Sequence, residues 1–317
     1  MIKYISEILD AKGNDMVALK YLVFLAMIVF IYLLYKYTEI PSKRVNNFEG
    51  FSQEKPFVLK VDDQIYDEFY VEVYDELHTT DKNSTWLIEQ VVKMTEPSKE
   101  SIMLDIGCGT CKVIRKLKQM GYSVYGADKS KTMVDYVEKL YPDMEIQHCD
   151  VIDPMAFERS SFTHIFCSGF TIYEIPDKKT LFRNLYHWLK PNAYLILHLA
   201  EPDKFSAVSP SKDAIQWMPF FKTEKPRTTD SVSEFDDFQY KQSIHSILST
   251  NITKITETFI DKETNQIRQN EQTLFMEPID SILTLASREG FILHGKVNMS
   301  ECNGDKHQHL YILERQM

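Results

Sequence analysis

Short apolar runs alternate with helical patterns through the middle of the chain. Five runs are typical of buried strands: "SIMLDIG", "YSVYGAD", "MEIQHCD", "FTHIFCSGF" and "NAYLILHLAEP". Helical patterns lie between most of them, as in "SKTMVDYVEKLYP", where Ser130 suits an N-cap and Pro142 a stop. Short strands that alternate with helices predict an α/β fold with a doubly wound, mostly parallel sheet.

The alternation stops after Pro202. Residues 203–234 show no periodicity, and three extended segments rich in threonine, isoleucine and phenylalanine follow them. Such segments, joined by turn-like sequences, predict an antiparallel insertion at residues 203–277, after the fifth strand. Residues 278–317 then predict a helix and a closing antiparallel pair of strands. We expect these last residues to complete the core formed by residues 57–202.

The N-terminal region contains a long apolar segment, residues 17–35, with one charge, Lys20, near its start. As a helix this segment would measure about 28 Å, close to the roughly 30 Å hydrocarbon core of a bilayer. We expect residues 1–37 to be an anchor that contacts a membrane through residues 17–37 as one transmembrane helix, followed by a linker at residues 38–56. A cleaved signal peptide would need a shorter apolar core. A buried helix would be unusually apolar on all faces.

The net charge and the cysteine content limit the classes of partner and the cellular compartments that the sequence favours. The formal net charge of -10 at pH 7 disfavours a nucleic-acid partner, because such binding depends largely on phosphates neutralised by lysine and arginine. The five cysteines are an odd number and are scattered, so they do not predict a disulfide framework. Three basic residues, Lys36, Lys43 and Arg44, follow the apolar segment. By the positive-inside rule they weakly favour a cytoplasmic position for the soluble body that comes after it.

The stretch "LDIGCGTC" places a carboxylate and a bare backbone turn at the end of a strand. Asp105 ends the strand, and Gly107 with Gly109 allows the backbone to approach a ligand closely. The next helix begins near Cys111, so its N-terminal amides can face the same ligand. A dinucleotide-binding turn would need a third glycine where Lys112 stands, and no Walker lysine follows. An acid two residues before the first glycine suits a positively charged group, such as an ammonium.

Two further acids end the next strands. Asp128 lies 23 residues beyond Asp105, where a carboxylate typically accepts hydrogen bonds from two ribose hydroxyls. Asp150 ends the third strand, where an acid can reach an adenine edge. Because ligands of open α/β sheets bind beyond the carboxyl ends of the strands, these three acids predict one nucleoside-like ligand.

The order and spacing of these motifs resemble the class I S-adenosylmethionine-dependent methyltransferases. The similarity covers about residues 60–200, through "LDIGCGTC", "YGADKS", "CDVID", "FTHIFCSGFTIYEIPD" and "LKPNAYLIL". It implies a Rossmann-like fold and S-adenosyl-L-methionine as cofactor. By this resemblance, the cofactor contacts are Asp105, Gly107, Gly109, Asp128, Lys129, Asp150, Val151 and Ser168. The chain departs from the family pattern at Cys111, where a glycine is frequent, and at Asn192 and Ala193, which replace a glycine pair.

Candidate catalytic residues follow the fourth and fifth strands. A general base is needed only when the acceptor must lose a proton. We expect this role from His198 or Glu201, at the end of the fifth strand, or from Tyr173, after the fourth, where Glu174 follows it. Ordinary loop polarity is the alternative for all of them. Tyr74, one of three tyrosines at helical spacing, either covers the cofactor or packs its helix.

Cys108 and Cys111 have CxxC spacing, but no second pair accompanies them, so we expect no metal.

The sequence therefore predicts a membrane-anchored S-adenosylmethionine-dependent methyltransferase. We expect a small molecule or lipid-like acceptor, methylated on nitrogen or oxygen, in a pocket shaped by the antiparallel insertion. A protein methyltransferase is one alternative, and a catalytically inactive, membrane-tethered binding module is another. The oligomeric state stays open.

Overall fold

The structure is a computed structural model. It describes residues 21, 24–32, 53, 55–78, 81–205 and 230–317. The chain divides into two compact units, Met1–Gly50 and Phe51–Met317.

In the first unit, residues 24–32 are helical and most of their large apolar side chains are exposed. No helix in the described part of the chain is both long and apolar enough to cross a bilayer. The rest of the predicted anchor segment, residues 17–35, apart from Tyr21, lies outside the described residues, as does most of the linker at 38–56. The anchor therefore stays a prediction.

The second unit contains all the elements labelled below. Its strands are β1 (Phe57–Val61), β2 (Ile102–Ile106), β3 (Ser123–Asp128), β4 (Glu145–His148), β5 (Phe162–Cys167), β6 (Leu189–Ala200), β7 (Asp230–Glu234), β8 (Phe238–Ile247), β9 (Ile252–Asp261), β10 (Ile267–Phe275), β11 (Phe291–Asn298) and β12 (Gln308–Arg315). Its helices are α1 (Glu68–His78), α2 (Asp81–Thr95), α3 (Lys112–Gln119), α4 (Lys131–Leu140), α5 (Thr171–Glu174), α6 (Lys178–Trp188), α7 (Ile279–Arg288) and α8 (Ser300–Asn303).

The larger sheet has seven strands in the order β11-β12-β6-β5-β2-β3-β4. Strands β2 to β6 pair in parallel, while β12 is antiparallel to both β6 and β11. Connections between parallel strands need long crossovers, and α3, α4 and α6 supply them. The predicted Rossmann-like α/β fold with a mostly parallel sheet is confirmed.

Both faces of this sheet are buried, as its apolar runs require. On β2, Leu104 belongs to one hydrophobic cluster and its neighbour Met103 to another, because successive side chains of a strand point to opposite faces. The first cluster includes Trp188 of α6, and the second includes Ile114 of α3. Two-sided burial explains why the strands are continuous apolar runs rather than alternating patterns.

The smaller sheet has five strands in the order β1-β10-β9-β8-β7. Strands β7 to β10 form an antiparallel meander within the predicted insertion, residues 203–277. Strand β1 pairs in parallel with β10, with Phe57 opposite Ile267. The sequence did not indicate that residues 57–61, at the start of the predicted core segment, form a strand of this smaller sheet. The sequence held no local sign of the pairing, because its two strands are far apart along the chain.

The meander packs over the carboxyl ends of the parallel strands. Its inward residues Ile244, Ile255 and Leu274 join the same hydrophobic cluster as core residues of β5 and β6. A bidentate ion pair attaches it to the segment before α1, since Arg268 Nη1 lies 2.8 and 2.9 Å from the two carboxylate oxygens of Asp67. The meander therefore forms a roof above the strand ends.

Candidate active site

A cavity of about 450 Å³ lies where β2, β3, β4 and β5 end. We call it the strand-end cavity. Its walls include the segments that follow these four strands, together with tyrosines from the region of α1. The expected cofactor contacts come from the ends of these four strands and from α1. All of them line this cavity: Asp105, Gly107, Gly109, Asp128, Lys129, Asp150, Val151, Ser168 and Tyr74.

Asp105 is a buried carboxylate with an unpartnered oxygen. Its residue is 3% exposed, and among the described residues its Oδ1 has no hydrogen-bond partner. Burial raises the pKa of the Asp105 carboxyl to about 8, and the nearby Asp128 adds to this effect. A buried carboxylate without a partner is costly, and a cationic donor in the cavity would relieve that cost.

The glycine turn brings bare backbone to the cavity. Gly107 has a φ of +62°, and a Cβ at this position would lie 2.5 Å from Thr171 Cγ2. Gly109 has a φ of +51°, and a Cβ there would lie 3.4 Å from the ring of Tyr74. Helix α3 then begins after Cys111, whose side chain makes no capping bond. The first amides of α3 are therefore available to a ligand.

Asp128 is held by backbone amides at the end of β3. Its Oδ2 accepts a hydrogen bond from Gly109 N at 2.8 Å, and its Oδ1 accepts one from Ser130 N at 2.8 Å. Burial raises the pKa of the Asp128 carboxyl, and these amide donors oppose the rise. Lys129 beside it is exposed and pairs with Asp63 at 2.7 Å. The carboxylate is thus fixed in position, with lone pairs remaining for a ligand.

The far end of the strand-end cavity follows β4. Asp150 is exposed, and its Oδ1 accepts a hydrogen bond from Ile152 N at 3.0 Å. Val151 is buried and contributes an apolar surface. Beside them, burial raises the pKa of the Cys149 thiol to about 11, so the thiol stays protonated. An apolar wall flanked by an acid suits a flat ring with an amino edge.

A second cavity of about 250 Å³ lies beneath the meander. We call it the meander cavity. It is bounded by α1, by the end of β6 and by inward residues of β8, β9 and β10. The two cavities share a set of lining residues, which we call the junction: Tyr66, Tyr74, Ser84, Val113, Ser168, Gly169 and Glu174. Ligands in the two cavities would therefore meet at the junction.

Glu174 is the acidic residue of the junction. It ends α5, and its Oε1 accepts a hydrogen bond from the Tyr66 hydroxyl at 3.1 Å. That hydroxyl in turn accepts a hydrogen bond from Gln272 Nε2 of β10 at 2.9 Å. Desolvation raises the pKa of the Glu174 carboxyl to about 7; the Tyr66 hydrogen bond opposes this rise and Asp128 adds to it.

Deeper in the meander cavity, Glu257 is the centre of a buried network. Its carboxylate accepts hydrogen bonds from the Tyr240 hydroxyl at 2.6 Å and the Tyr70 hydroxyl at 2.7 Å. Asn270 Nδ2 donates a third at 3.2 Å, and His78 Nε2 lies 3.5 Å away. Burial opposes ionisation, yet His78 and the hydroxyl donors hold the pKa of Glu257 below its ordinary value. This carboxylate is charged and already satisfied.

The three expected catalytic residues have different surroundings. His198 lines the meander cavity, and its Nε2 lies 3.0 Å from Gln308 Oε1. Burial lowers the pKa of His198 to about 4, so the ring is neutral near pH 7. Its catalytic role stays a prediction.

Glu201 and Tyr173 lie outside the described lining of both cavities. Glu201 Oε2 is 3.0 Å from His307 Nδ1. Tyr173 is fully buried, and its hydroxyl both donates to Ala200 O at 3.1 Å and accepts from Ala200 N at 2.9 Å. Their polar atoms are engaged away from the cavities, and their catalytic roles stay predictions.

Sequence reasoning named Glu174 beside Tyr173 without choosing between them, and it missed Glu257. Glu174 directly follows Tyr173 in the loop that was singled out, and its side chain faces the junction while Tyr173 packs into the core. Glu257 belongs to no motif, and its partner Tyr70 is 187 residues away. The helical spacing of Tyr66, Tyr70 and Tyr74 was the one signal that pointed to this region.

No group of three or more histidine, cysteine, aspartate or glutamate side chains in the described part of the chain is arranged to hold a metal ion. Cys108 and Cys111 are both buried beside the glycine turn.

Comparisons with known proteins agree with this site. Residues 104–197 match the methyltransferase domain family. A curated relative, the cypemycin N-terminal methyltransferase of a Streptomyces species, is 30% identical over 149 residues, which cover 45% of this chain and 60% of that protein. The alignment thus spans about three fifths of the relative's length.

Two solved structures share the fold. An S-adenosylmethionine-dependent methyltransferase from Clostridium acetobutylicum superposes with a TM-score of 0.61 at 17% identity, over 78% of this chain and 98% of that one. CalS10 is an amino pentose methyltransferase from Micromonospora echinaspora that was solved with S-adenosylmethionine bound. It superposes with a TM-score of 0.56 at 14% identity, over 79% of this chain and 98% of that one.

Residues 104–197 therefore form a methyltransferase domain, and the fold is shared with solved S-adenosylmethionine-dependent methyltransferases, which confirms the resemblance seen in the motifs. S-adenosylmethionine is the cofactor of this domain. The residues present fit it, because the unpartnered Asp105 oxygen suits an ammonium group and the glycine turn leaves room that a Cβ at Gly107 would fill.

Proposed function

We propose that the protein transfers a methyl group from S-adenosylmethionine in the strand-end cavity to a small molecule in the meander cavity. The observation that carries this proposal is the junction, where seven residues line both cavities. Methyl transfer needs its two partners in line and close together, and two cavities that meet at one point satisfy that need.

In this proposal each strand end holds one part of the cofactor. Asp105 binds the methionine ammonium, Asp128 accepts hydrogen bonds from the ribose hydroxyls, and Asp150 with Val151 surrounds the adenine. Ser168, at the junction, lies beside the reacting centre. When bound, the cofactor supplies an electrophilic methyl group on a sulfonium, so the protein's main tasks are alignment and exclusion of water.

The size and cover of the meander cavity support a small acceptor. About 250 Å³ beneath a sheet is comparable to the small end of ligand pockets, and an intact protein surface would not enter it. CalS10 is named for an amino pentose, which is a small acceptor. The cypemycin enzyme is named for an N-terminus, and this favours a peptide end as the second candidate.

Membrane attachment remains part of the proposal. It is supported by the apolar segment at residues 17–35 and by the exposed apolar side chains of helix 24–32. Attachment would place a lipid-like acceptor within reach. A full-length protein that methylates a soluble peptide and leaves membrane extracts unmodified would contradict a lipid-like acceptor.

The first test is calorimetry of S-adenosylmethionine with the full chain and with Asp128→Ala. We expect micromolar binding by the native protein and about 10- to 100-fold weaker binding by the variant, because hydrogen bonds to a charged group contribute about 1.5–3 kcal/mol. Asp128→Asn keeps the shape of the side chain and shows whether the charge is what matters. Asp135→Ala, a surface residue paired with Lys131, is the matched control. Absence of binding by the native chain would refute the proposal.

A further inference from the structure

We propose that the acceptor is an amine that reaches the junction as its ammonium form, and that Glu174 binds this ammonium and accepts its proton. This inference rests on the proposed function and adds the chemical class of the acceptor and a catalytic residue. Four features of the site support it: the position of Glu174, the hydrogen bonds that hold its carboxylate, the charge of the cavity walls and the aromatic surface beside it.

The position of Glu174 makes contact with both partners geometrically possible. It lines the strand-end cavity and the meander cavity, and it is exposed towards them. Asp105 and Asp128 line only the first cavity, and Glu257 lines only the second. Among the described carboxylates, Glu174 is therefore the one at the point where an acceptor nitrogen would face the methyl group.

Two neighbours fix the carboxylate from one side. Tyr66 donates to Oε1 at 3.1 Å, and Gln272 donates to the Tyr66 hydroxyl at 2.9 Å. These residues come from two different elements, since Tyr66 precedes α1 and Gln272 lies on β10. A carboxylate held in this way is preorganised for a ligand, because its orientation does not change when the ligand arrives.

Glu257 is a weaker candidate for the same role. Three hydrogen-bond donors surround its carboxylate, and the residue is only 4% exposed. An ammonium would have to displace those donors, whereas Glu174 is exposed to the cavity. The role of Glu257 is to hold the cavity wall together and to add negative charge behind it.

The charge of the meander cavity favours a cation. Its described lining includes three carboxylates, from Glu76, Glu174 and Glu257, and no lysine or arginine. A low-dielectric cleft lined by one sign of charge concentrates ligands of the opposite sign. A carboxylate or phosphate acceptor would be repelled, while an ammonium would be attracted.

The junction also offers aromatic rings to a cation. Tyr66, Tyr70 and Tyr74 follow one another with ring centroids 5.8 and 5.9 Å apart, and all three line the meander cavity. Tyrosine rings attract ammonium groups through their electron-rich faces. A carboxylate beside a row of tyrosines recognises an ammonium better than an alcohol of the same shape.

The proposed step begins with the loss of a proton from the acceptor nitrogen. One N–H bond of the ammonium breaks, its proton moves to a carboxylate oxygen of Glu174, and the electron pair stays on nitrogen. That pair forms the new C–N bond as the C–S bond breaks and its electrons return to sulfur. The products are the methylated ammonium, S-adenosylhomocysteine and a proton that Glu174 later releases to water.

A carboxyl group whose pKa is near neutral is suited to this exchange. The pKa of Glu174 is about 7 before a cation arrives, and an ammonium beside it would lower that pKa and release a proton. The charged and titratable groups that face Glu174 from the surrounding elements are Asp63, Tyr66, Tyr74, Asp128, Lys129 and Cys167.

The test compares amine and alcohol probes of the same skeleton. Benzylamine and benzyl alcohol, then cyclohexylamine and cyclohexanol, are titrated calorimetrically into the full chain saturated with S-adenosylhomocysteine at pH 7. Each titration is repeated in phosphate and in MOPS, which has no primary amine, because the difference in heat reports protons released on binding. We expect each amine to bind about 10-fold more tightly than its alcohol, with proton release.

Glu174→Gln should lower amine affinity about 10-fold, abolish the proton release and leave alcohol affinity unchanged. Glutamine keeps the acceptor for Tyr66, and thermal unfolding checks that the variant is folded. Glu271→Gln is the matched control: this residue is on the same strand as Gln272, outside both described linings, and accepts from Gln269 at 2.8 Å. It should behave like the native protein.

Equal binding of amine and alcohol, no binding of either amine, or native-like proton release by Glu174→Gln would each overturn the inference. Failure of the proposed function looks different, because S-adenosylmethionine itself would then not bind. Intact cofactor binding without amine preference would remove only the role of Glu174.

Discussion

The strand-end cavity and the meander cavity satisfy their buried acids in different ways. In the first, Asp105 is buried with an oxygen that lacks a partner among the described residues. In the second, Glu257 is equally buried but is surrounded by Tyr70, Tyr240 and Asn270. The first carboxylate needs a ligand to complete it, and the second is completed by the protein.

This difference separates binding from scaffolding. A buried acid without a partner is costly to ionise, and a cationic ligand lowers that cost, whereas an ionised acid with its donors in place stabilises the walls around it. We therefore expect changes in the two regions to affect different measurements. Changes at the strand-end cavity should act mainly on cofactor affinity, and changes around Glu257 should act mainly on folding stability.

The largest expected effect comes from Glu257→Leu. Removing the carboxylate leaves several buried donors without their acceptor, and breaking a buried charged network in this way costs about 3–5 kcal/mol. The urea midpoint of unfolding should fall accordingly. It should fall less in Glu257→Gln, because glutamine keeps one acceptor oxygen. Glu271→Leu, on the adjacent strand β10, is the control.

The Glu257 effect should depend on pH. The pKa of Glu257 is lower in the folded protein than its ordinary value, so its stabilisation is fully present above about pH 4.5 and is lost as the pH falls through the folded pKa. The gap between native and Glu257→Gln should narrow in acid. A gap that widens in acid would contradict the ionised network.

A smaller effect is expected from Gly107→Ala, compared with Gly169→Ala. Both glycines have a φ of +62°, so both variants carry the same backbone cost of about 1 kcal/mol. A Cβ at Gly107 meets Thr171 Cγ2 at 2.5 Å, while a Cβ at Gly169 meets nothing within 4 Å. We expect an additional loss of about 1–3 kcal/mol in unfolding free energy at Gly107 alone. Equal losses would show that the turn relaxes freely.

The smallest effect is expected from Tyr173→Phe. It removes a hydroxyl that bonds both backbone groups of Ala200, so the unfolding free energy should fall by about 1–2 kcal/mol. S-adenosylmethionine affinity should stay within about twofold of the native value, because this side chain is outside both cavities. A variant that has native stability but no methyl transfer would support a catalytic role for Tyr173.

The sequence was informative where structure depends on neighbouring residues. Alternating strands and helices are local patterns, and Asp105, Gly107 and Asp128 are placed by the ends of the strands that carry them. These local patterns predicted the fold and a nucleoside-like ligand, and the resemblance of the motifs to a known family supplied the identity of the cofactor.

Contacts between residues far apart in the sequence could not be predicted from local patterns. The network of Glu257 joins residues from α1, β8, β9 and β10, and the ion pair between Arg268 and Asp67 spans 201 positions. Tyr173 and Glu174 could not be ranked from the sequence for a different reason, since the short helix α5 turns one side chain inward and its neighbour towards the junction. Strand β1 was missed because its partner is β10.

That parallel pairing has a consequence for how the protein is made. Phe57 pairs with Ile267, 210 residues further along the chain, so β1 leaves the ribosome long before its partner is synthesised. During that interval β1 has an unpaired edge, and exposed Phe57, Leu59 and Val61 lie along one of its faces. Strands β2 to β6 can therefore pair with one another before β10 exists, whereas β1 waits for translation to pass Ile267.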